Sequence, residues 1–223
     1  MPKDDEMVLV VPNDKLFNGR EDYFEGFKDS TEVDFIDRIF HNHRFERHDE
    51  ASKNFTLKQP IAYCAIVNPL TKKVYVYKRN EGAEGDNVGV EKLLQGNLSF
   101  GVGGHMVASE PGAAIDVVAA NKVRELAEEA EIYGSKEFRF FGYVNNDDDR
   151  NKGVGKVHFG IMYLVVTNAS IVRPKDKEAL TGSMVHISEL ERMVDASKKR
   201  NPKITIEPWS EISFEPLKKY FGL

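Results

Sequence analysis

The chain has 223 residues, a length that suits one sizeable domain with at most a small extension. Its formal net charge of −5 argues against a partner made of polymeric nucleic acid, because proteins that neutralise phosphates are usually basic. Hydrophobic residues make up 41% and charged residues 30%, an ordinary balance for a globular protein with a core. A small anionic ligand stays compatible with the acidic chain, because a bound cation can reverse the local sign of a site.

The cysteine content and the hydropathy pattern indicate a cytoplasmic protein. Cys64 is the only cysteine, so no intramolecular disulfide can form, as is typical of a reducing compartment. The first fifteen residues, "MPKDDEMVLVVPNDK", do not resemble a signal peptide. No apolar stretch approaches the roughly 20 residues that span a bilayer, so no membrane association is expected.

The first quarter of the chain carries a short strand and one amphipathic helix. An apolar run before Pro12 predicts the strand, and "STEVDFIDRIFHNH" predicts the helix with Ser30 or Thr31 as its N-cap. The apolar face of this region is too small for a core of its own. We therefore expect residues 1–56 to be an N-terminal extension that packs on a main domain formed by residues 57–223.

The remaining elements alternate between strands and helices, which predicts an α+β or α/β sandwich with a mixed sheet. In chain order they are a hairpin of strands at 61–68 and 73–79, a short strand entering a glycine turn at 97–105, a helix at 115–130, strands at 137–144 and 155–167, a strand that becomes a helix at 184–200, and a last helix at 211–221.

The helix at 115–130 carries an unusual density of carboxylates. At 100° per residue, an apolar face and an acidic face are predicted to lie roughly opposite each other. The first comprises Val123, Leu126, Ala127 and Ala130, and the second comprises Glu125, Glu128 and Glu129. No lysine or arginine follows these glutamates by four residues, so their mutual repulsion is only partly offset. A solvated acidic face is one interpretation, and a site for a hard divalent cation such as Mg²⁺ is the other.

The segment "RELAEE" at 124–129 resembles the second half of the Nudix box, the signature of the Nudix hydrolases. Gly104 and Glu110, with five residues between them, resemble its front half. The likeness covers roughly residues 58–215 and implies the α/β/α sandwich of the Nudix type, with the box as strand, loop and helix.

Two positions depart from the pattern of the family. Thirteen residues separate Glu110 from Arg124 where the family has seven, so the loop is six residues longer. Counting back from Arg124 with the spacing of the family reaches Asp116, so either Glu110 or Asp116 fills the front acidic position. Asp116 suits that position best as an N-cap or just before the helix begins. Glu131 replaces the last glycine of the box, so we expect the helix to end differently from that of the family.

The resemblance implies a hydrolase that acts on a nucleoside diphosphate joined to another group, or on a related organic pyrophosphate. Glu125, Glu128 and Glu129 would bind Mg²⁺, with Mn²⁺ as an alternative, and the cation would orient the diphosphate and acidify a bound water. Glu128 or Glu129 would complete the deprotonation of that water, and the sequence does not decide between them.

Neighbouring residues would support this chemistry. Arg124 would orient the carboxylates by ion pairing, and Gly103 and Gly104 would let the backbone approach closely in the turn. Arg79 would line the substrate cleft. His105 either touches phosphate or has a structural role.

A further acidic ligand is expected from beyond the box. The candidates are Asp147, Asp148 and Asp149 in "NNDDDR" and Glu178, which lies in a loop before the strand at 184–187. A solvated loop acid is the alternative interpretation of each. The sequence leaves the oligomeric state undetermined, with a homodimer still open.

Two other functions remain open at this stage. The isomerisation of isopentenyl diphosphate uses the same fold and needs a reactive cysteine, for which Cys64 lacks a suitable setting. A nucleotide-sensing module that has lost catalysis is the second, but such modules usually have eroded glutamates, and the set is complete in this chain. The sequence does not identify which nucleoside diphosphate derivative would be cleaved.

Overall fold

The structure is a computed structural model that describes residues 5–79, 96–108, 114–147, 154–175 and 180–223. Its strands are β1 Met7–Pro12, β2 Gly26–Asp29, β3 Arg44–Arg47, β4 Leu57–Asn68, β5 Lys73–Arg79, β6 Leu98–Ser99, β7 Gly101–Val102, β8 Ala130–Ile132, β9 Glu137–Asn145, β10 His158–Val166, β11 Val172–Pro174 and β12 Leu180–His186. Its helices are α1 Asn13–Leu16, α2 Phe35–Asn42, α3 His48–Ala51, α4 Ala114–Glu129, α5 Val154–Val157, α6 Ile187–Ser197 and α7 Pro208–Tyr220. This is the α+β class with a mixed sheet, as predicted.

The chain divides into two compact units, each built from three chain segments. The first comprises the described residues of Met1–Tyr63, Gly103–Glu125 and Phe140–Met162, and the second those of Cys64–Val102, Leu126–Arg139 and Tyr163–Leu223. The segment predicted as an extension therefore shares a unit with later parts of the chain. Its boundary at residue 56 stays a prediction.

The first unit has the strand order β4–β10–β9–β2, and β1 pairs with both β3 and β4. Helix α2 begins one residue after Asp34, whose carboxylate accepts a hydrogen bond from the Asp37 amide at 2.9 Å. Asp34 and not Ser30 or Thr31 is therefore the N-cap, since the Thr31 hydroxyl is engaged by Asp29. The Phe35 ring packs edge-on against Tyr143, which anchors the helix to β9.

The second unit has the strand order β12–β5–β4, with β6 against β5 and β7 against β4. Strand β12 pairs antiparallel with all seven residues of β5, from Lys73 to Arg79. Strand β8 pairs with β11 in a separate two-stranded sheet. Cys64 lies fully buried in β4, as expected for a core residue.

Helix α4 differs from the prediction at its N-terminal end and in part of its buried face, whereas it ends without a glycine, as expected from Glu131. It begins at Ala114, so Asp116 is not an N-cap but an exposed residue of the first turn. It ends at Glu129, and the chain enters β8 at the next residue without a terminating glycine. The predicted apolar face is wrong in part: Leu126 and Ala130 are buried as predicted, but Val123 is 52% exposed and Glu125 is buried.

The corrected face predicts opposite responses at two neighbouring apolar positions. Replacing Val123 with lysine should change the free energy of unfolding by no more than about 0.5 kcal/mol, since the side chain is exposed. Replacing Leu126, which is 4% exposed, with alanine should cost about 2–5 kcal/mol. Urea denaturation of both variants measures these free energies. A loss at Val123 above about 0.5 kcal/mol would indicate that this side chain is buried, as the sequence predicted.

In the parts of the chain that the structure describes, no helix is both long enough and apolar enough to cross a membrane.

Candidate functional site

The glycine turn after β7 is pressed against the backbone of β4. A β-carbon built on Gly103 would lie 2.2 Å from the carbonyl oxygen of Ala62, a separation that no side chain tolerates. Ile61 and His105 form an antiparallel bridge just beyond this point. The close approach expected of Gly103 is therefore present, and it fixes the path of the turn.

Two side chains of α4 hold the turn through a single backbone atom. The Nδ2 of Asn121 donates to the carbonyl oxygen of His105 at 3.0 Å, and the Nη2 of Arg124 donates to the same oxygen at 2.9 Å. Asn121 also accepts a hydrogen bond from the amide of Ala62 at 3.3 Å. Asn121 is fully buried and so links turn, strand and helix, a role that the sequence analysis missed.

Glu125 lies beneath the second glycine of the turn. Its carboxylate pairs with Arg124 at 2.8 Å and accepts a weak hydrogen bond from Asn121 at 3.4 Å. A β-carbon on Gly104 would lie only 2.4 Å from its Oε1. Gly104 is thus the residue that leaves room for this carboxylate, and the Arg124 ion pair has the geometry expected of an orienting group.

The two later glutamates belong to the second unit and differ in exposure. Glu128 is exposed, whereas Glu129 is partly buried at the end of α4. The backbone oxygen of Glu129 accepts a hydrogen bond from the Lys175 amide at 3.0 Å, which fixes the end of the helix. Burial, followed by the negative charge of Glu129, raises the pKa of Tyr75 on β5 above its usual range.

Arg79 lies in a polar cluster of the second unit with Tyr77 and Glu207. Its Nε donates to Glu207 Oε1 at 2.9 Å and its Nη2 donates to the Tyr77 hydroxyl at 3.3 Å. The pKa of Arg79 is raised, first by the Tyr77 hydroxyl and then by the carboxylates of Glu207 and Glu129. Among the described residues, these bonds use two of the five guanidinium N–H groups, which leaves donors that an anionic ligand could use.

Of the candidate acids in the loops before and after α4, the structure describes only Asp147. Glu110 and Glu178, together with Asp148 and Asp149, lie outside the described residues. Asp147 is described and forms an ion pair with Lys58, whose side chain is fully buried. The Tyr23 hydroxyl donates to the other carboxylate oxygen of Asp147 at 3.0 Å. Asp147 thus has a structural partner on each oxygen.

The ion pair between Lys58 and Asp147 should matter for stability. Burial lowers the pKa of Lys58, and the hydrogen bond to Asp147 opposes this effect. Replacing Asp147 with asparagine should cost about 2–3 kcal/mol, below the about 3–5 kcal/mol of fully buried pairs because Asp147 is 32% exposed. Chemical denaturation measures this loss.

The matched control for this prediction replaces both partners. A variant with Lys58→Met and Asp147→Asn should recover most of the lost stability, because it no longer buries an uncompensated charge. A double variant less stable than the single one would contradict the interpretation.

Histidines cluster beside the glycine turn. The Nε2 atoms of His105 and His158 lie 3.0 Å apart, and the His48 ring centroid lies 4.6 Å from that of His105. The imidazole of His105 is therefore engaged by His158, which supports the structural role and not phosphate contact.

The chemistry of the acidic residues on α4 fits a hard divalent cation. Glu125, Glu128 and Glu129 provide carboxylate oxygens within the last five residues of one helix. Among the described residues, no three histidine, cysteine or acidic side chains are already gathered closely enough to hold a metal ion. Mg²⁺ retains several waters and commonly uses only one or two carboxylates together with substrate phosphates, so a gathered set of three is not required.

Comparisons with known proteins show that the chain is similar in sequence to a curated bacterial protein and in structure to solved proteins. No family model matches the chain. Protein YmaB of Bacillus subtilis (strain 168) is 34% identical over 198 residues, which cover 86% of this chain and 91% of YmaB. The crystal structure of Tm1382, described as a candidate Nudix hydrolase, has a TM-score of 0.75, with 24% identity over 96% of this chain and 100% of Tm1382. This likeness confirms the Nudix fold predicted from the sequence.

Proposed function

The chain belongs to the same family as protein YmaB of Bacillus subtilis, and we propose that it is a metal-dependent Nudix-type hydrolase. Its substrate would be a nucleoside diphosphate derivative or a related organic pyrophosphate, cleaved at the diphosphate linkage. The Nudix fold of Tm1382 supports the proposal at the level of architecture, and the residues of the turn and of α4 support it at the level of chemistry.

The arrangement of Glu125 carries the proposal. A carboxylate is expensive to bury, and this one is 7% exposed, paired with Arg124 and accommodated by the missing side chain of Gly104. A merely solvated acidic face would leave Glu125 in water. The match between a buried, oriented carboxylate and a glycine that makes room for it is what a precise metal-ligand position requires.

Glu125, Glu128 and Glu129 would hold Mg²⁺ or Mn²⁺. When bound, the cation would neutralise the diphosphate and lower the pKa of a bound water. The chain itself contributes the positions of the carboxylates, through the Arg124 ion pair and the fixed end of α4. Glu128 or Glu129 would take the proton from the attacking water.

Arg79 is proposed as a substrate-binding residue. The Glu207 ion pair holds its guanidinium while leaving N–H donors for an anionic group. Gly103 and Gly104 would contribute through the shape of the turn and not through side-chain contacts.

A release assay over a panel of nucleoside diphosphate derivatives tests the function. Release of phosphate and nucleotide should require Mg²⁺ or Mn²⁺ and should stop in EDTA. Metal-independent turnover would contradict the proposal. Tight binding without turnover across the whole panel would instead favour a nucleotide-sensing module.

A further inference from the structure

The small β8–β11 sheet of the second unit has an outer face that combines exposed apolar side chains with charged ones. Along both chain segments, Ile132 and Val172 are buried, and their neighbours point to the opposite side of the sheet. Tyr133 is 59% exposed and Ile171 is 50% exposed, and the Tyr133 amide donates to the Ile171 carbonyl oxygen at 3.4 Å. The β8–β11 face comprises Glu131, Tyr133, Ile171 and Arg173.

The segments that border the β8–β11 face are fixed by side-chain amides. The Oδ1 of Asn168 accepts a hydrogen bond from the Ser135 amide at 2.9 Å. The Nδ2 of Asn68 donates to the Ala169 carbonyl oxygen at 2.9 Å, and its Oδ1 accepts from the Leu70 amide at 3.1 Å. Leu70, which is 84% exposed, extends the apolar surface in this turn. A surface that is already ordered loses less conformational entropy when a partner binds.

Opposite charges flank Tyr133 on this face. Glu131 and Arg173 are direct partners in the register of the two strands. The Tyr133 hydroxyl donates to Glu131 Oε2 at 2.9 Å, and the guanidinium carbon of Arg173 lies 5.8 Å from the centroid of the Tyr133 ring. Among the residues that the structure describes, neither Glu131 nor Arg173 forms an ion pair, so both charges remain available to a partner.

The β8–β11 face is complementary in charge to a second copy of itself. In a two-fold symmetric dimer, residue i of one chain meets residue j of the other, and j meets i. A face with one acid and one base on either side of an apolar centre fulfils this rule. Tyrosine and arginine are also the residues that most often anchor protein interfaces.

We propose that the β8–β11 face is the interface of a homodimer. Glu131 of each chain pairs with Arg173 of the other chain, and Tyr133 and Ile171 pack between these two ion pairs. The proposal concerns assembly and does not depend on the proposed hydrolase activity.

The substitution Tyr133→Ala removes the aromatic anchor. Sedimentation velocity over a range of concentrations should show a wild-type dimer, and the dissociation constant should rise about 30-fold in the variant. The circular dichroism spectrum should not change, since the side chain is mostly exposed in the single chain. Phe55→Ala is the matched control, because Phe55 is an aromatic residue of the first unit that is 56% exposed. Its dissociation constant should equal that of the wild type.

Two charge reversals test the reciprocal ion pairs. Glu131→Arg and Arg173→Glu each place like charges against each other twice across the two-fold axis, so each dissociation constant should rise about 100-fold or more. Mixing the two variants should restore dimers, because every arginine of the first chain then meets a glutamate of the second. Damage to the folding of the single chains would not be reversed by mixing.

Three results would overturn the proposal. A wild type that stays monomeric at every concentration would leave this face to a different partner. A dimer that survives Tyr133→Ala would use another surface. Charge variants that remain monomeric after mixing would show that Glu131 and Arg173 do not meet across the axis.

Discussion

Hydrolysis is expected to fall about 10²–10⁴-fold when glutamine replaces whichever of Glu128 and Glu129 acts as the general base. Glutamine keeps the size of the side chain but can neither accept the proton nor neutralise a cation. The other variant should lose metal affinity, so excess Mg²⁺ should restore much of its rate. Measuring kcat against Mg²⁺ concentration for both variants therefore assigns the two roles.

Glu131→Gln is the control for these variants. Glu131 lies just beyond α4, in β8, and its carboxylate accepts a hydrogen bond from the Tyr133 hydroxyl at 2.9 Å. Its rate should stay within about twofold of the wild type, because Glu131 lies beyond the helix and its carboxylate is already bonded to Tyr133. Unchanged turnover in both Glu128→Gln and Glu129→Gln would refute their assignment.

The second large effect is expected at Gly104. An alanine there would place its β-carbon 2.4 Å from Glu125 Oε1, so the carboxylate must move. Because a displacement of about 1 Å can cost about 10²-fold in rate, we expect kcat/KM to fall by about that factor. The fold should survive, since the group that must shift is the end of a flexible side chain.

Gly103→Ala separates this effect from a general disturbance of the turn. Its β-carbon would meet the backbone oxygen of Ala62 at 2.2 Å, and that oxygen cannot move without displacing β4. This variant should lose about 1–3 kcal/mol of stability or more. A Gly104→Ala enzyme with full activity, or one that unfolds as readily as Gly103→Ala, would contradict the role given to Glu125.

The longer strands and helices could be predicted from local patterns, whereas the short strands β2, β3, β8 and β11 were not predicted. Runs of apolar residues identified β5 and most of β4, and the tight spacing of the acids singled out α4 as the helix proposed to bear the chemistry. The start of β4 was missed because Lys58 and Gln59 are polar, yet both are buried in the strand. Lys58 has its counter-ion at Asp147, 89 residues further along the chain, and no local pattern reveals such a pair.

The buried face of α4 could not be predicted from hydrophobic periodicity, because polar side chains with hydrogen-bond partners are buried there in place of an apolar one. Hydrophobic periodicity places Val123 inside, and it is exposed. Asn121 and Glu125 are buried in its place because the His105 carbonyl and Arg124 satisfy their polar atoms.

The most direct test of the central claim, that the end of α4 holds a divalent cation, is a crystal structure with Mn²⁺ and a non-hydrolysable diphosphate analogue, recorded at the manganese edge. We predict an anomalous peak bound by oxygens of at least two of Glu125, Glu128 and Glu129, at about the 2.1 Å typical of Mg²⁺ sites, and bridged to the diphosphate. A bound diphosphate with manganese absent from these glutamates, or placed elsewhere, would contradict the account.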